Sequence, residues 1–107
     1  MSQDLLKGCL DLIILTVVAG QPSHGYAIIC AVRERSAGVF NLPEGTVYPV
    51  LHRLDETGML RSHWVAVAGR RRRVYEITAA GRAALAERRR AWQVFSWGVR
   101  SLLGGTA

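Results

Sequence analysis

Residues 42–77 constrain the fold of this 107-residue chain more than any other segment. A helical pattern with polar side chains occupies residues 43–58. Two short stretches follow at residues 62–67 and 72–77, and their side chains alternate in character as in a β-strand. Alternation with a turn between the stretches predicts a β-hairpin. All four residues from 70 to 73 are arginines, and we place Arg70 and Arg71 at the tip of the hairpin. The segment therefore predicts a helix that can enter a groove of DNA, beside a basic loop that can bind the phosphate backbone.

The charge of the chain is unevenly distributed. Residues 1–60 carry four basic and six acidic side chains, a net charge of −2, whereas residues 61–107 carry ten arginines and two acidic side chains, a net charge of +8. A basic half of this kind indicates a polyanionic partner. Charge alone fits a nucleic acid and an acidic membrane surface equally well. The chain length predicts one domain, and 50% hydrophobic residues are enough for a core.

Several classes of function are excluded by what the sequence lacks. It has no Ser-His-Asp set, paired carboxylates, phosphate loop or metal-ligand cluster, so we expect no enzyme activity, cofactor or metal. Residues 10–19 are apolar but too short for the ~20 residues of a membrane span, and no signal peptide is present. We therefore expect a cytoplasmic protein with no membrane partner. Cys9 and Cys30 are predicted to be buried thiols, with a redox-sensing pair as the alternative.

Helical periodicity predicts three helices before the hairpin. The first, capped by Ser2, has one apolar face toward the core and a second strip formed by Leu5, Cys9 and Leu12, so it is sandwiched in the core or lies against a partner chain. The second covers about residues 24–36, with Ser23 as its cap. The third begins at about Pro43 and ends at Gly58. Its predicted buried stripe consists of Val47, Val50, Leu51 and Leu54.

The last helix carries an apolar stripe of its own. Thr78 is expected to cap it, and Leu85, Trp92 and Val99 recur at intervals of seven, with Phe95 and Leu102 in a second row. A long helix with such a stripe cannot pack fully on so small a domain. We therefore expect two copies to associate through it.

Five stretches resemble the PadR-type transcriptional regulators. They are residues 6–8 (LKG), 24–26 (HGY), 44–54 (EGTVYPVLHRL), 58–60 (GML) and 71–81 (RRRVYEITAAG). The resemblance implies a mainly α fold with a two-stranded β wing. Residues 1–78 would form a winged helix-turn-helix DNA-binding domain and residues 79–107 a dimerisation helix of the family's short form. It also implies a dimeric repressor. Val74 departs from the pattern, because members usually carry an aromatic residue there.

The third helix and the hairpin supply the expected contacts to double-stranded DNA. Thr46 and Tyr48 carry hydroxyls near the start of the helix and can donate to phosphate oxygens or base edges. For Tyr48 the alternative is packing, and for Thr46 it is capping. For Arg53 the two alternatives are contact with a phosphate and an ion pair with Glu56. The predicted wing contacts are Arg70 and Arg71, supported by Arg72 or Arg73, whereas residues 88–90 are expected to be a solvated arginine face.

The aromatic residues of the last helix admit two interpretations. Trp92 and Phe95 either fill the core of the homodimer or line a pocket for a small aromatic effector between the two chains. The predicted effector or dimer surface consists of Leu5, Cys9, Leu12, Leu85, Trp92, Phe95 and Val99. The alternative function is a winged-helix module that binds protein rather than an operator.

Overall fold

The computed structural model describes residues 3–104 of the chain, and the side chains of residues 9–104. The elements follow in the order α1 (Gln3–Gly20), β1 (Ser23–His24), α2 (Gly25–Arg35), α3 (Glu44–Glu56), β2 (Leu60–Val67), β3 (Arg70–Ile77) and α4 (Ala79–Leu102). The predicted order of three helices, a hairpin and a long helix is confirmed. Ser2 and the side chain of Leu5 lie outside the described residues.

The core lies between α1, α2 and α3 and is closed by the sheet and the first half of α4. The predicted stripe of α3 is buried, since Val47, Leu51 and Leu54 are fully enclosed and Val50 nearly so. Apolar residues of α1 and α2 meet it from the other side, and Leu60 and Tyr75 cover it from the sheet. Burial of such side chains contributes roughly 1.5–3 kcal/mol each. The exposed face of α3 is therefore supported by a well-packed core.

The sheet has three strands rather than the predicted two. The strand order is β1-β3-β2, and both pairings are antiparallel, with Ser23 opposite Tyr75 and Trp64 opposite Arg73. A strand as short as β1 has no periodicity to reveal it. The predicted cap of α2 was also wrong, because Nδ1 of His24 accepts the backbone N–H of Ala27 at 3.3 Å, whereas the Ser23 hydroxyl donates to the Gln21 carbonyl.

The hairpin turn is shorter than predicted. Only Ala68 and Gly69 lie between the strands, and their φ angles of 50° and 76° are the positive values required by a type I′ turn. Arg70 and Arg71 are therefore strand residues and not tip residues, which corrects the sequence prediction. Because strand side chains alternate between faces, the four arginines are divided two and two.

A compact junction joins the end of α3 to the start of α4. The backbone N–H of Met59 donates to the Leu54 carbonyl at 2.9 Å, and the Met59 carbonyl accepts the backbone N–H of Thr78 at 3.1 Å. Thr78 caps α4 as predicted, since its hydroxyl accepts the N–H of Gly81 at 3.0 Å. A Cβ on Gly81 would lie 2.0 Å from the Met59 oxygen, so this close approach requires glycine.

The two halves of α4 have different surroundings. Leu85 is only 5% exposed and packs into the core of its own chain, so it has little surface left to offer a second copy. Beyond Arg88, α4 projects away from the rest of the fold, and most side chains in this part of the helix are exposed. This projection contributes to the elongated outline of 55 × 28 × 22 Å.

Gly81→Ala tests the junction. The added methyl group must displace the Met59 carbonyl, so we expect a loss of about 1–3 kcal/mol in the free energy of unfolding, measured by urea denaturation. Gly45→Ala is the matched control, because its Cβ would meet nothing within 4 Å. The control should gain up to about 1 kcal/mol from helix propensity. Equal stability of Gly81→Ala and the wild type would contradict the junction as described.

Candidate nucleic-acid interface

The N-terminal half of α3 presents Tyr48 and Thr46 at the surface. Tyr48 is 41% exposed, and Thr46 is half-buried. The Tyr48 ring also lies against the start of α2, because a Cβ on Gly25 would be 2.4 Å from its Cε1 atom. Tyr48 therefore packs against α2 and is still partly exposed to solvent. Gly25 leaves room for the ring, which holds the phenol in a defined direction.

Arg53 makes an ion pair, but not with the residue that the sequence suggested. Its guanidinium donates to both carboxylate oxygens of Asp11 on α1, at 2.5 and 3.2 Å. Glu56 instead lies 2.7 Å from Nε2 of His52. Nη2 of Arg88 on α4 also donates to Asp11, at 3.2 Å, so Arg88 is not simply part of a solvated face. A single carboxylate therefore joins α1, α3 and α4.

Arg73 links the β2–β3 hairpin, which we call the wing, to α3. Its Nη2 atom lies 3.2 Å from Oδ2 of Asp55, and its Nε donates to the Ser62 hydroxyl at 2.9 Å. That hydroxyl in turn donates to Asp55 at 2.5 Å. The arginine run therefore has an acidic partner at this position. Because Asp55 lies in the last turn of α3, this link fixes the wing relative to the helix.

The other three arginines have different neighbours. Arg71 lies on the same face as Arg73, and its guanidinium carbon is 4.8 Å from the centroid of the Trp64 ring, a cation–π distance. On the opposite face, Nη1 of Arg72 approaches Nδ1 of His24 at 3.5 Å. Arg70 is exposed beside the turn. Within the described residues, neither Arg70 nor Arg71 pairs with an acidic side chain, so no neighbouring carboxylate offsets their charges.

The pKa values of three ionisable groups near this surface are shifted by their surroundings. Hydrogen bonds from Arg53 lower the pKa of the Asp11 carboxyl, and the charges of Arg53 and Arg88 act in the same direction against partial burial. The same hydrogen bonding raises the pKa of the Arg53 guanidinium. Separately, burial raises the pKa of the Tyr75 phenol on β3. Asp11 is therefore a carboxylate at neutral pH, which suits its role as an ion-pair partner.

The arrangement offers an exposed helix end and a fixed basic hairpin, which together suit a polyanion. The described residues contain no group of three side chains that could hold a metal ion. Sequence reasoning missed Asp11, Asp55 and Trp64 as organising residues. The position of Trp64 opposite Arg73 follows from the register once the two-residue turn is known. Asp11 gave no local signal, because it lies 42 residues from Arg53.

The residues expected at an effector or dimer surface are partly brought together. Trp92 and Phe95 are adjacent on α4, with ring centroids 6.1 Å apart, and both are exposed together with Val99. Cys9 is a half-buried free thiol, as is Cys30, so neither is fully buried as predicted. Leu12 lines an open apolar groove of about 230 Å³ between α1 and α2. Trp92 and Phe95 do not line that groove.

Known proteins resemble the chain along most of its length. Residues 14–87 match the family model of the transcriptional regulator PadR-like family. The transcriptional regulator Rv3488 of Mycobacterium tuberculosis is 40% identical over 103 residues, covering 96% of this chain and 91% of the relative.

Solved structures agree with this similarity. A transcriptional regulator from Clostridium thermocellum superimposes with a TM-score of 0.86 at 26% identity, covering 94% of this chain and 96% of that one. A PadR family regulator from Eggerthella lenta gives 0.83 at 29% identity, covering 94% and 87%.

The fold and its basic surface define a winged-helix DNA-binding regulator of transcription. The chain belongs to the PadR-like family of transcriptional regulators, which confirms the resemblance inferred from its motifs. Its relatives regulate transcription and are not enzymes. Within residues 3–104, no helix has the length and apolar character to traverse a bilayer.

The ion pairs of Asp11 predict a pH-dependent contribution to folding. Since the pKa is lower in the folded chain than its ordinary value of 3.8, the carboxylate stabilises the fold above that pH and loses this effect as the pH falls through the folded-state value. Asp11→Asn should therefore lower the free energy of unfolding at neutral pH and differ less from the wild type at about pH 3. Urea denaturation measures both.

Glu34→Gln serves as the control for this comparison. Glu34 is exposed on α2 and makes no ion pair among the described residues. Its replacement should change stability little at neutral pH. A stability difference for Asp11→Asn that stayed constant across this pH range would contradict the ionic role of Asp11.

Proposed function

We propose that the chain is a homodimeric repressor that binds a pseudo-palindromic operator and is released by a small aromatic effector at the dimer interface. The observation that carries the proposal is the projecting half of α4, which exposes aromatic and aliphatic side chains one helical turn after another. Trp92 is 47% exposed and Leu102 is 89% exposed, and Phe95 and Val99 lie between them. Soluble monomers rarely expose a continuous apolar surface of this kind.

Packing against a second copy of the chain would bury this apolar surface of α4. Residues 92, 95, 99 and 102 follow intervals of three and four, which is the spacing of a helix that packs against another helix. Leu5, Cys9 and Leu12 on α1 are the proposed additional contacts to the partner. Two-fold pairing through α4 places one recognition helix on each side of the axis. Leu85 would contribute from within the core by supporting α4, not by direct contact.

In the proposed complex, α3 enters the major groove. Thr46 and Tyr48 contact phosphates or base edges from its N-terminal half, where the backbone N–H groups add partial positive charge. Arg53 lies in the last turn and keeps half of its side chain exposed while paired with Asp11. It can therefore meet a phosphate without leaving its carboxylate partner.

The wing supplies the sequence-independent part of binding. Arg70 and Arg71 are the proposed primary phosphate contacts, because they are exposed and keep their charge unpaired within the described residues. Arg72 shares the face of Arg70, lies beside His24 and is the proposed support for both contacts. Arg73 contributes mainly by bracing the wing through Asp55. Each phosphate neutralised contributes about 0.9 to the slope of log affinity against log salt concentration.

Repression follows from where such a dimer binds. Two recognition helices in successive major grooves, about 34–36 Å apart, cover the operator and exclude other proteins from it. A flat aromatic molecule between the chains, stacked on Trp92 or Phe95, would change the angle between the protomers. Because both helices must match the groove spacing, this change weakens DNA binding.

Tyr48→Ala and Arg71→Ala test the DNA contacts. Each should weaken binding to an operator duplex while the dimer persists, and Arg71→Ala should also lower the salt slope by about 0.9. Fluorescence anisotropy titrations over a range of salt concentrations measure both effects. Arg33→Ala on α2 is the control for the loss of one charge away from the proposed surface. Full operator affinity in both test variants would show that α3 and the wing are wrongly assigned.

Trp92→Ala tests the dimer. Removing a large aromatic side chain from the proposed interface should raise the dimer dissociation constant at least about tenfold, as for a hot-spot residue. Analytical ultracentrifugation measures the constant. Trp64→Ala is the matched control, because this tryptophan is similarly exposed but lies on the wing. If the two variants dimerised with equal affinity, the α4 stripe would not be the interface.

A further inference from the structure

We infer that Asp11 is a positioning residue that fixes the angle between the recognition helix α3 and the dimerisation helix α4, and thereby sets the half-site spacing that the dimer accepts. The inference rests on the proposed function, since it requires dimerisation through α4. It assigns to one carboxylate on α1 a role in operator selection without any contact to DNA.

The geometry of the three side chains carries this assignment. Oδ1 of Asp11 is 2.5 Å from Nη2 of Arg53, and Oδ2 is 3.2 Å from Nη1 of the same guanidinium. Two parallel hydrogen bonds hold the plane of a guanidinium as well as its distance. Oδ2 also accepts from Nη2 of Arg88 at 3.2 Å. The Asp11 side chain is 17% exposed, so its pairing is less screened by solvent than that of a surface carboxylate.

The cluster of Asp11, Arg53 and Arg88 lies where a small change in angle causes a large displacement at the end of α4. Arg53 is in the last turn of α3, and Arg88 lies one turn before Trp92, where the exposed half of α4 begins. From Arg88 to Leu102 the helix extends about 21 Å at 1.5 Å per residue. A tilt of about 10° at Arg88 would move its far end by ~4 Å, close to the ~3.4 Å rise of one base pair.

The charges of the cluster explain why Asp11 in particular matters. Two guanidinium groups approach one carboxylate, so Asp11 holds together two like charges that otherwise repel. Asparagine at this position keeps nearly the same volume but removes the negative charge. The two arginines would then separate, and α3 and α4 would lose their shared ionic partner among the described residues.

The sign of the effect distinguishes positioning from simple electrostatics. Removing a carboxylate makes the protein more positive and by itself strengthens binding to any duplex. Positioning predicts the opposite for the specific site, because a less fixed angle between α3 and α4 lets the two recognition helices depart from the groove spacing. Operator affinity should fall while affinity for unrelated DNA stays the same or rises.

The experiment compares the wild type with Asp11→Asn, Arg88→Gln and the control Glu34→Gln. The probes are an operator duplex enriched from a randomised pool by the wild type, derivatives with one base pair added to or removed from its centre, and a scrambled duplex. Affinities come from anisotropy, and sedimentation establishes the oligomeric state of each protein. Arg88→Gln keeps the test decisive if Asp11→Asn folds poorly.

We expect Asp11→Asn and Arg88→Gln to remain dimeric and to lose at least about fivefold in the ratio of operator to scrambled affinity, at the lower end of typical coupling between sites. Their penalty for a changed spacer should also shrink relative to the wild type. Loss of stability alone would lower binding to all duplexes and leave the spacer preference unchanged.

Two results would overturn the inference alone. One is wild-type spacer preference in Asp11→Asn and Arg88→Gln, and the other is tighter operator binding by Asp11→Asn that matches Glu34→Gln. A wild-type protein that enriched no duplex, or stayed monomeric at all concentrations, would overturn the proposed function and this inference together.

Discussion

The backbone of Met59 holds the DNA-binding half of the chain to the long helix. Its N–H closes the end of α3 on the Leu54 carbonyl, and its carbonyl receives the backbone N–H of Thr78 between the wing and α4. Gly81 brings the first turn of α4 against the same oxygen. The recognition helix, the wing and α4 therefore meet at this junction, and the ion pairs of Asp11 and Asp55 add further links between them. The relative positions of the proposed DNA and dimer surfaces depend on these contacts.

The arginine run shows how a fold divides one stretch of charge into separate roles. Alternation along β3 sends Arg71 and Arg73 to one face and Arg70 and Arg72 to the other. Asp55 then holds Arg73, while the Trp64 ring lies beside Arg71. Within the described residues, Arg70 and Arg71 pair with no carboxylate, whereas Arg73 pairs with Asp55 and Arg72 lies beside His24. Estimates of DNA affinity from the charge count alone would overstate the contribution of this wing.

Local patterns predicted most of the fold, and long-range contacts were the part that the sequence did not reveal. The stripe of α3, its glycine stop and the Thr78 cap are encoded within a few residues, and the structure confirms them. The strand β1, the two-residue turn and the pairing of Asp11 with Arg53 depend on segments that meet only after folding. Thr46, Tyr48 and the arginines were predicted as DNA contacts from residue type and position, whereas a supporting residue such as Asp55 gave no local signal.

Hydroxyl-radical footprinting of the wild-type protein on an enriched operator tests the central claim most directly. A dimer with one recognition helix and one wing in each half-site should protect two regions related by two-fold symmetry, with centres about 10–10.5 base pairs apart. Backbone protection should extend beyond each major-groove contact where the wing meets phosphate. A single protected region, or weak protection spread evenly along the duplex, would contradict a symmetric dimer that reads DNA through α3 and the wing.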